Sequence, residues 1–373
     1  MIKRILYIGG FELPDLNAGA CRVLNNARIF KNNNIDVSFF GITKNSDSNI
    51  EGIVLDTFNY HLESIKKKKD FINYITNNSF AKKAVQHFKN IDLIICYSLH
   101  ASNTKWLINY AKRNNIKIIV DCVEWDILNK FSIYNFIKNV DTKICLKHLY
   151  KKSDGIICIS SFLKNHFSKT NRTIVIPPLT FKDDFSPYYS QSNSSKNKVF
   201  KIAYFGNPGE KENFSIFSQI ASQVGEFKPI ELHFIGLNEQ AFAHAYKGDY
   251  KTLKNSSVKL FFYGRVSHIQ TIEIVSMCDC SFIFREQSLK NTAGFPTKFA
   301  ESVTTQIYTI CNNFSDVDYY HSSNNVFILH NNIIEEGVRL ISSLQRPTKK
   351  IDFVSPFDIS FWNDTLIGFI NNL

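Results

Sequence analysis

Hydrophobic and polar positions along the first half of the chain follow an alternating pattern. Short apolar runs rich in β-branched residues predict strands, and the amphipathic stretches between most of them have the length of helices. The predicted strands are 5–8, 37–40, 93–96, 116–120, 155–159 and 173–176, and the predicted helices are 20–31, 80–89, 102–113 and 140–151. This alternation favours an α/β domain with a parallel sheet and helices on both of its faces.

The pattern stops at Pro177-Pro178, and a polar segment at 190–198 predicts a linker or exposed loop. It then starts again. The second set of predicted strands is 201–205, 231–235, 258–263, 280–284, 307–311 and 326–329, and the second set of helices is 213–224, 239–246, 268–277, 297–303 and 333–344. We therefore predict an N-terminal Rossmann-like domain at 1–180, a linker at 181–198 and a second Rossmann-like domain at 199–355. A C-terminal helix within 356–373 is expected to pack back on the first domain.

Composition agrees with a two-domain globular protein. The 373 residues suffice for two domains, and 44% hydrophobic with 21% charged residues excludes a disordered chain. No run reaches the roughly 18 apolar residues of a membrane span, and no signal peptide is recognisable, so we expect a cytoplasmic protein. The eight cysteines form no CxxC pair and predict buried thiols, with a metal site at Cys278 and Cys280 as the alternative.

Positive charge is concentrated in the first half. Residues 1–179 hold 26 Lys and Arg against 14 Asp and Glu, a net of +12, whereas residues 180–373 hold 18 against 19, a net of −1. The excess includes the run Lys66, Lys67, Lys68 and Lys69. It can be a solvated face, or it can meet an anionic membrane surface or an anionic substrate. Nucleic acid is not expected, because no motif that reads bases is recognisable.

Two loops that follow predicted strands have the composition of anion sites. In the first βα loop, Asn17 and Gly19 precede a helix, but the loop is not GxGxxG, which disfavours a nicotinamide cofactor. Gly206 opens a turn that ends at Lys211 before another helix, and this arrangement suits a diphosphate or is a plain βα turn.

A third loop, 284–301, is long and polar, which favours a functional role. Backbone amides near Gly294 and Phe295 can meet a phosphate or a sugar, and Pro296 suits a first helical turn. Glu301, one turn later, can accept two ribose hydroxyls. Lys298, on the same helix, is a further candidate to bind the donor. The alternative is a capped helix with a surface Glu301 and a solvated Lys298.

The ordered motifs resemble GT-B glycosyltransferases of the large retaining group often called family 4. The resemblance runs from about residue 5 to about residue 330. The motifs are the Gly19 loop, 153–160 (SDGIICIS), 174–178 (IVIPP), 185–187 (FSP), Gly206 with Lys211, 262–266 (FYGRV) and 294–301 (GFPTKFAE). The last is similar to the branch that builds bacterial capsule, O-antigen and exopolysaccharide. Two Rossmann-like domains facing across a cleft are implied.

The resemblance also implies which residues bind the donor. Glu301 would hold the ribose, Lys211 the diphosphate, and Gly19 would touch that diphosphate from the first domain. Gly264 and Arg265 would lie near the base. Asn207 stands where an Arg is common, and Ala293 stands where many members have a sugar-binding Glu, so Arg285 or Glu286 would have to substitute.

Catalysis in this group retains the anomeric configuration without a clear protein nucleophile, so the protein mainly positions the reactants and stabilises charge. Asp121 and Glu124 are candidates to position the acceptor hydroxyl or to offset positive charge at the anomeric carbon, unless Asp121 caps local backbone. His100 is a further catalytic candidate, with a structural histidine as the alternative. No cofactor or metal is expected, although Asp316-Val317-Asp318 spells the DxD metal signature of another glycosyltransferase fold.

The function implied is transfer of a sugar from a UDP- or GDP-sugar to a lipid-linked or glycan acceptor in bacterial surface polysaccharide synthesis. The basic first domain would rest on the inner face of the cytoplasmic membrane. The alternative is a non-catalytic member of a polysaccharide assembly complex that binds a nucleotide-sugar or a glycan.

Overall fold

The computed structural model describes residues 2–15, 17–125, 127, 133–189, 199–206, 211–321 and 325–373. The chain divides into two units. The first comprises Met1–Leu179, Ala293–Phe295 and Ile359–Leu373, and the second comprises Thr180–Thr292 and Pro296–Asp358.

Of the fourteen strands in the described residues, twelve follow the predicted apolar runs. In chain order they are β1 (Arg4–Gly9), β2 (Asp36–Thr43), β3 (Ile50–Val54), β4 (Phe58–Ser64), β5 (Leu93–Tyr97), β6 (Lys117–Cys122), β7 (Gly155–Cys158), β8 (Thr173–Val175), β9 (Phe200–Phe205), β10 (Ile230–Ile235), β11 (Lys259–Gly264), β12 (Cys280–Ile283), β13 (Tyr308–Asn312) and β14 (Val326–Leu329).

The helices fill most of the intervals between those strands. They are α1 (Ala18–Asn32), α2 (Lys68–Thr76), α3 (Ser79–His87), α4 (Ala101–Arg113), α5 (Ile133–Ile144), α6 (Ser161–Phe167), α7 (Lys182–Phe185), α8 (Phe214–Gly225), α9 (Glu239–Ala245), α10 (Lys247–Lys254), α11 (His268–Ser276), α12 (Leu289–Ala293), α13 (Thr297–Thr305), α14 (Ile333–Ser343) and α15 (Ile359–Asn371). A π-helical turn, Cys145–Leu149, continues α5.

The first unit is built on one eight-stranded sheet with the order β3-β4-β2-β1-β5-β6-β7-β8. Its interior strands are parallel and almost wholly buried, as expected for a sheet covered on both faces. The edge differs from the predicted pattern, because β3 and β4 form an antiparallel hairpin with Glu51 opposite His61. The helix α15 packs against α1 and β8 of this unit.

The second unit is built on a parallel six-stranded sheet with the order β11-β10-β9-β12-β13-β14. Its core is aromatic on one face of the sheet, where Phe214 of α8 contacts Phe217, Phe234 and Phe242 with ring centroids between 4.8 and 6.1 Å apart. The packing of these phenylalanine rings holds α8 and α9 against the sheet.

All eight cysteines are free thiols, and seven of them are buried. None of the helices in the described part of the chain combines the length and the apolar character needed to span a bilayer.

Candidate functional site

A cavity of about 470 Å³ opens at the carboxyl ends of the first unit's parallel strands. Its volume lies within the roughly 300–1,000 Å³ typical of small-molecule sites. Ligands of such sheets bind at this edge, beyond the strand ends. The predicted residues that line the cavity are Asn17, Gly19, His100, Asp121 and Glu124.

The amino end of α1 forms one wall of the cavity. Asn17 is the N-cap of this helix, and its Oδ1 accepts a hydrogen bond of 2.9 Å from the Ala20 N–H. Gly19 lies so close to Tyr97 that an added Cβ would be 2.8 Å from the tyrosine hydroxyl oxygen. Asn17 therefore stabilises the helix, and Gly19 allows its first turn to approach β5.

Asp121, at the end of β6, is engaged in a buried ion pair. Its carboxylate lies 2.7 Å from Nη2 of Arg22 and 3.0 Å from Nε, and the Tyr7 hydroxyl donates to it. Burial, with the charge of Asp121, raises the pKa of Tyr7, which keeps that donor protonated. Arg22 also donates from Nη1 to the carbonyls of Ile176 and Pro177. Both carboxylate oxygens therefore accept hydrogen bonds from donors within the first unit.

His100, at the same cavity, is paired with the carboxylate of Asp141. Its Nδ1 lies 2.9 Å from Oδ2 of Asp141, whose Oδ1 accepts from the Ala101 N–H at 2.8 Å. Among the described residues Nε2 has no hydrogen-bond partner, so the carboxylate orients the ring with one nitrogen available. Glu124 is exposed at the same cavity. Sequence reasoning missed Asp141, which lies on α5, 41 positions after His100.

In the second unit, glycines end three neighbouring strands. Gly206 follows β9, Gly236 follows β10 and Gly264 ends β11, and all three have positive φ. The N–H of Gly206 donates to the Ile235 carbonyl at 3.0 Å, so this amide is not available to a phosphate. A Cβ on Gly236 would lie 3.5 Å from the Gly206 backbone. The glycines therefore let two loops approach closely at the carboxyl edge of the sheet.

Lys298, in the first turn of α13, is half-buried, and its Nζ is buried close to Gly206. A Cβ added to Gly206 would lie 3.9 Å from its Nζ. The ammonium is 2.6 Å from Oε1 of Glu212 and 4.7 Å from the centroid of the Tyr204 ring, and the Tyr204 hydroxyl donates to Glu212. Burial lowers the pKa of Lys298, while Glu212 opposes that shift. A solvated Lys298, the alternative from sequence, does not describe this side chain.

Arg285 is buried and Glu286, the next residue, is exposed. The backbone N–H of Arg285 donates to Oδ1 of Asn312 at 2.8 Å, and its guanidinium lies 5.5 Å from the centroid of the Phe314 ring. Lys211 is held through its backbone carbonyl, which accepts from Nδ2 of Asn291 at 3.1 Å. The second unit thus brings Arg285, Glu212 and Lys298 together around β9 and β12.

Glu301 lies one turn after Lys298 on α13 and is paired with a residue that sequence reasoning missed. Its Oε1 is 2.8 Å from Nε2 of His268, the first residue of α11. Ser267 begins α11 with a capping box to Gln270, which fixes the position of His268. The sequence signal was the Ser-x-x-Gln spacing after β11, and it predicts a helix start without indicating a partner for Glu301.

The remaining predicted donor residues are distributed as follows. Pro296 is the N-cap of α13, which has no side-chain cap, Arg265 is exposed after β11, and Gly294 and Phe295 belong to the first unit. Asn207 lies outside the described residues. Ala293 is fully buried, and its carbonyl accepts from Oγ of Ser160 at 2.7 Å.

No family model matches this sequence, and no curated protein matches it. Solved structures do match over the whole chain. An α,α-trehalose-phosphate synthase (UDP-forming) from Burkholderia xenovorans, in complex with glucose-6-phosphate, has a TM-score of 0.69 at 8% identity and covers 99% of this chain and 100% of its own.

Sucrose-phosphate synthase from Thermosynechococcus elongatus has a TM-score of 0.68 at 11% identity, with 99% of this chain and 98% of that chain covered. Anabaena HepE in complex with UDP-glucose has a TM-score of 0.63 at 13% identity, with 99% and 100% covered. The chain has the GT-B fold. This confirms the predicted α/β class with two Rossmann-like domains.

The sequence offered two possible metal sites, one at Cys278 and Cys280 and one at Asp316 and Asp318. Cys278 and Cys280 pack in different apolar clusters, and burial raises the pKa of both thiols. Asp318 accepts a hydrogen bond from Nδ2 of Asn313 at 2.8 Å. Within the described residues, the group with metal-ligating spacing is instead Glu51, His61 and His87, in the first unit.

Proposed function

We propose that this protein is a retaining glycosyltransferase that moves a sugar from a UDP- or GDP-sugar to a lipid-linked or glycan acceptor in bacterial surface polysaccharide synthesis. The observation that carries the proposal is the position of Glu301. This carboxylate lies on the first turns of α13, beside His268 and one turn after the half-buried Lys298, at the carboxyl edge of the second unit's sheet. HepE, whose fold this chain shares, is a protein with a structure in complex with UDP-glucose.

Glu301 is suited to hold the ribose of the donor. A carboxylate offers about four lone-pair positions, so Glu301 can bind His268 through Oε1 and still accept bonds from two neighbouring hydroxyls. His268 fixes the orientation of that carboxylate before the donor binds. Preorganisation of this kind reduces the entropy lost when the donor is bound.

The diphosphate requires positive charge at the same edge. Lys298 lies beneath Gly206, and Arg285 lies close enough to lower the pKa of that lysine. The start of α13 adds backbone N–H groups and the positive end of a helix dipole, and no side chain caps it. Together with Lys211, these groups would stabilise the negative charge that develops on the departing diphosphate.

The proposed transfer reaction needs no protein nucleophile. The bond between the anomeric carbon and the diphosphate oxygen breaks, and the acceptor hydroxyl oxygen bonds to that carbon on the same face of the sugar. The hydroxyl proton passes to the leaving diphosphate. The residues of this chain position both reactants and stabilise the charge of the leaving group.

The cavity of the first unit is assigned to the acceptor side. His100 is oriented by Asp141 and can accept a hydrogen bond from a sugar hydroxyl through Nε2, while Glu124 offers a carboxylate at the same cavity. Asp121 would act indirectly, because its ion pair with Arg22 positions the end of β6 from which Glu124 follows.

Membrane attachment is supported by one face of α5. Phe136, Ile137, Val140 and Ile144 are exposed at helical spacing on this helix, which also carries Lys143. An apolar stripe with neighbouring lysines is typical of a helix that lies on an anionic bilayer. Replacing Phe136 and Ile137 with Ser should reduce sedimentation with anionic vesicles, and unchanged sedimentation at low salt would dismiss this attachment.

A non-catalytic protein that binds a nucleotide-sugar or a glycan is the second candidate. It is favoured by Ala293, which is fully buried where many similar enzymes have a sugar-binding Glu. Incubation of the purified protein with the donor and a crude lipid acceptor distinguishes the two. Sugar transfer supports the enzyme, whereas donor binding without transfer or hydrolysis supports the binding protein.

The proposal is tested first by a thermal-shift panel of UDP-, GDP-, CMP- and TDP-sugars, in which selective stabilisation identifies the donor class. Glu301→Ala should abolish turnover and that stabilisation. Glu273→Ala, which removes an exposed carboxylate from α11, is the matched control and should behave as the unmodified protein. Equal turnover in Glu301→Ala and in the control would reject the assignment.

A further inference from the structure

Three neighbouring strands of the first unit place a phenylalanine, a histidine and a glutamate in one row. Phe40 of β2 is the register partner of His61 on β4, and His61 is in turn the partner of Glu51 on β3. Residues in register on adjacent strands point to the same face of a sheet. The α3 helix covers this face, and its last residue, His87, completes the group.

Three potential ligand atoms converge there. Nδ1 of His61 lies 2.7 Å from Oε1 of Glu51, and Nδ1 of His87 lies 4.0 Å from the same oxygen. One ligand atom from each residue lies within 4.8 Å of the other two. Ligands at roughly 2.0–2.1 Å from a tetrahedral zinc ion are about 3.3 Å apart, so small movements of the exposed Glu51 and His87 side chains would close the set.

A further carboxylate fixes the orientation of His61. Oε1 of Glu63 lies 3.2 Å from Nε2 of His61, and Oε2 of the same side chain is 2.7 Å from Nζ of Lys83. A metal-binding histidine commonly donates its second ring N–H to a carboxylate in this way. With the proton on Nε2, the lone pair of Nδ1 faces Glu51.

The alternative is a histidine cation between two glutamates. A neutral imidazole can donate from one nitrogen only, yet both nitrogens of His61 face carboxylate oxygens. The His61 side chain is 8% exposed, and its ring centroid is 4.7 Å from that of His87. A metal cation at Nδ1 satisfies this geometry while both imidazoles remain neutral.

We propose that Glu51, His61 and His87 bind a divalent transition-metal ion of the zinc class, with Glu63 as the positioning residue for His61. Two imidazoles and one carboxylate form a ligand set that suits zinc. The ion would join the edge hairpin β3–β4 to the end of α3, and would thereby stabilise an edge of the sheet that is otherwise open to pairing. The proposal does not depend on the glycosyltransferase assignment.

The test uses the tag-free full chain, dialysed against a chelator and titrated with zinc chloride by calorimetry. One equivalent should bind, and the melting temperature should rise with zinc concentration. His87→Ala and Glu51→Gln each remove one ligand, and binding at this site should be lost in both. His244→Ala removes an exposed histidine from α9 and should bind as the unmodified chain does.

Glu63→Gln keeps an acceptor for the His61 N–H and should weaken zinc binding by roughly 10- to 100-fold. Circular dichroism of each metal-free variant confirms that it is folded. Cobalt added in place of zinc should give the visible absorption of a tetrahedral site in the unmodified chain and not in His87→Ala. Absence of stoichiometric binding, or equal zinc affinity in the His87 and His244 variants, would overturn the proposal.

Discussion

The two units share a fold class but bury positive charge in different ways. The first half of the chain carries the net charge of +12. In the first unit, the guanidinium of Arg22 is buried. The second half has a net charge of −1 and contains, besides the buried guanidinium of Arg285, three partly buried lysines, Lys228, Lys298 and Lys349. Burial lowers the pKa of each of these three lysines.

The chemistry of the two cations explains what each can do. The planar guanidinium of Arg22 directs its donors to Asp121 and to two carbonyls, so it fixes the first unit's strand ends. Lys298 instead faces Glu212 and the Tyr204 ring below a glycine turn. The comparison suggests that Arg22 is a structural residue and that Lys298 is available to exchange part of its pairing for a ligand.

The strongest test of this contrast removes the charge of Asp121. Asp121→Asn leaves Arg22 buried without its counter-charge, and loss of one partner of such a pair lowers the free energy of unfolding by about 3–5 kcal/mol. Urea denaturation measures the change. Asp47→Asn, which breaks the exposed pair with Lys66, is the control and should leave the free energy of unfolding almost unchanged, because an exposed ion pair is screened by solvent. Similar losses in both variants would show that Asp121 has no special structural role.

The second test concerns Lys298. Lys298→Met should weaken binding of the stabilising nucleotide-sugar by about 1.5–3 kcal/mol, roughly 10- to 150-fold, because the proposed charged hydrogen-bond donor to the diphosphate is lost. Calorimetric titration measures the affinity, and circular dichroism confirms folding. Lys254→Met removes an exposed lysine paired with Glu239 and should leave the affinity unchanged. An unaltered affinity in Lys298→Met would place this lysine among the structural residues.

Periodicity was sufficient to predict the parallel sheets, because buried parallel strands are continuous apolar runs. The strand at 326–329 was predicted with its observed bounds, and β9 and β10 differ from prediction by one residue at one end. The β3–β4 hairpin was missed. Its residues mix polar and apolar positions, as in Ile50–Val54, since this edge faces solvent on one side.

The chemistry of the site could be predicted as residue types at strand ends, but not as partners. His100 stood out because it follows a predicted strand, and Glu301 because it lies at the start of the helix after a long polar loop. By contrast, His268 and Asp141 became significant only through contacts made by the fold. The partner of Asp121 could not be predicted from the sequence either. Its position at the end of β6 suggested catalysis, and the buried Arg22 that pairs with it is 99 positions away.

The two units also differ in how a helix begins at the carboxyl edge of the sheet. The side chain of Asn17 caps α1 in the first unit, whereas α13 in the second unit begins without a side-chain cap. Asn17→Ala should lower the free energy of unfolding by about 1 kcal/mol, and Asn17→Ser should restore most of that loss because its hydroxyl can accept the same bond. Urea denaturation is again the measurement. A fall in donor affinity without a loss of stability would instead assign Asn17 to ligand binding.

The smallest effect concerns the pH dependence that a buried lysine gives to the second unit. Nζ of Lys349 donates to the Ser276 carbonyl, and burial lowers its pKa from 10.5 to about 8. Because the unfolded chain holds this proton more tightly, stability should rise as pH increases through the folded-state value.

Between about pH 7.5 and pH 8.5 the contribution is roughly 0.7 kcal/mol, and it should disappear in Lys349→Met. Cysteines and tyrosines titrate in both proteins, so the quantity to measure is the difference between their two urea-denaturation profiles across this range. A constant difference would mean that Lys349 keeps an ordinary pKa in the folded chain, and the contrast between the units would then rest on Lys228 and Lys298 alone.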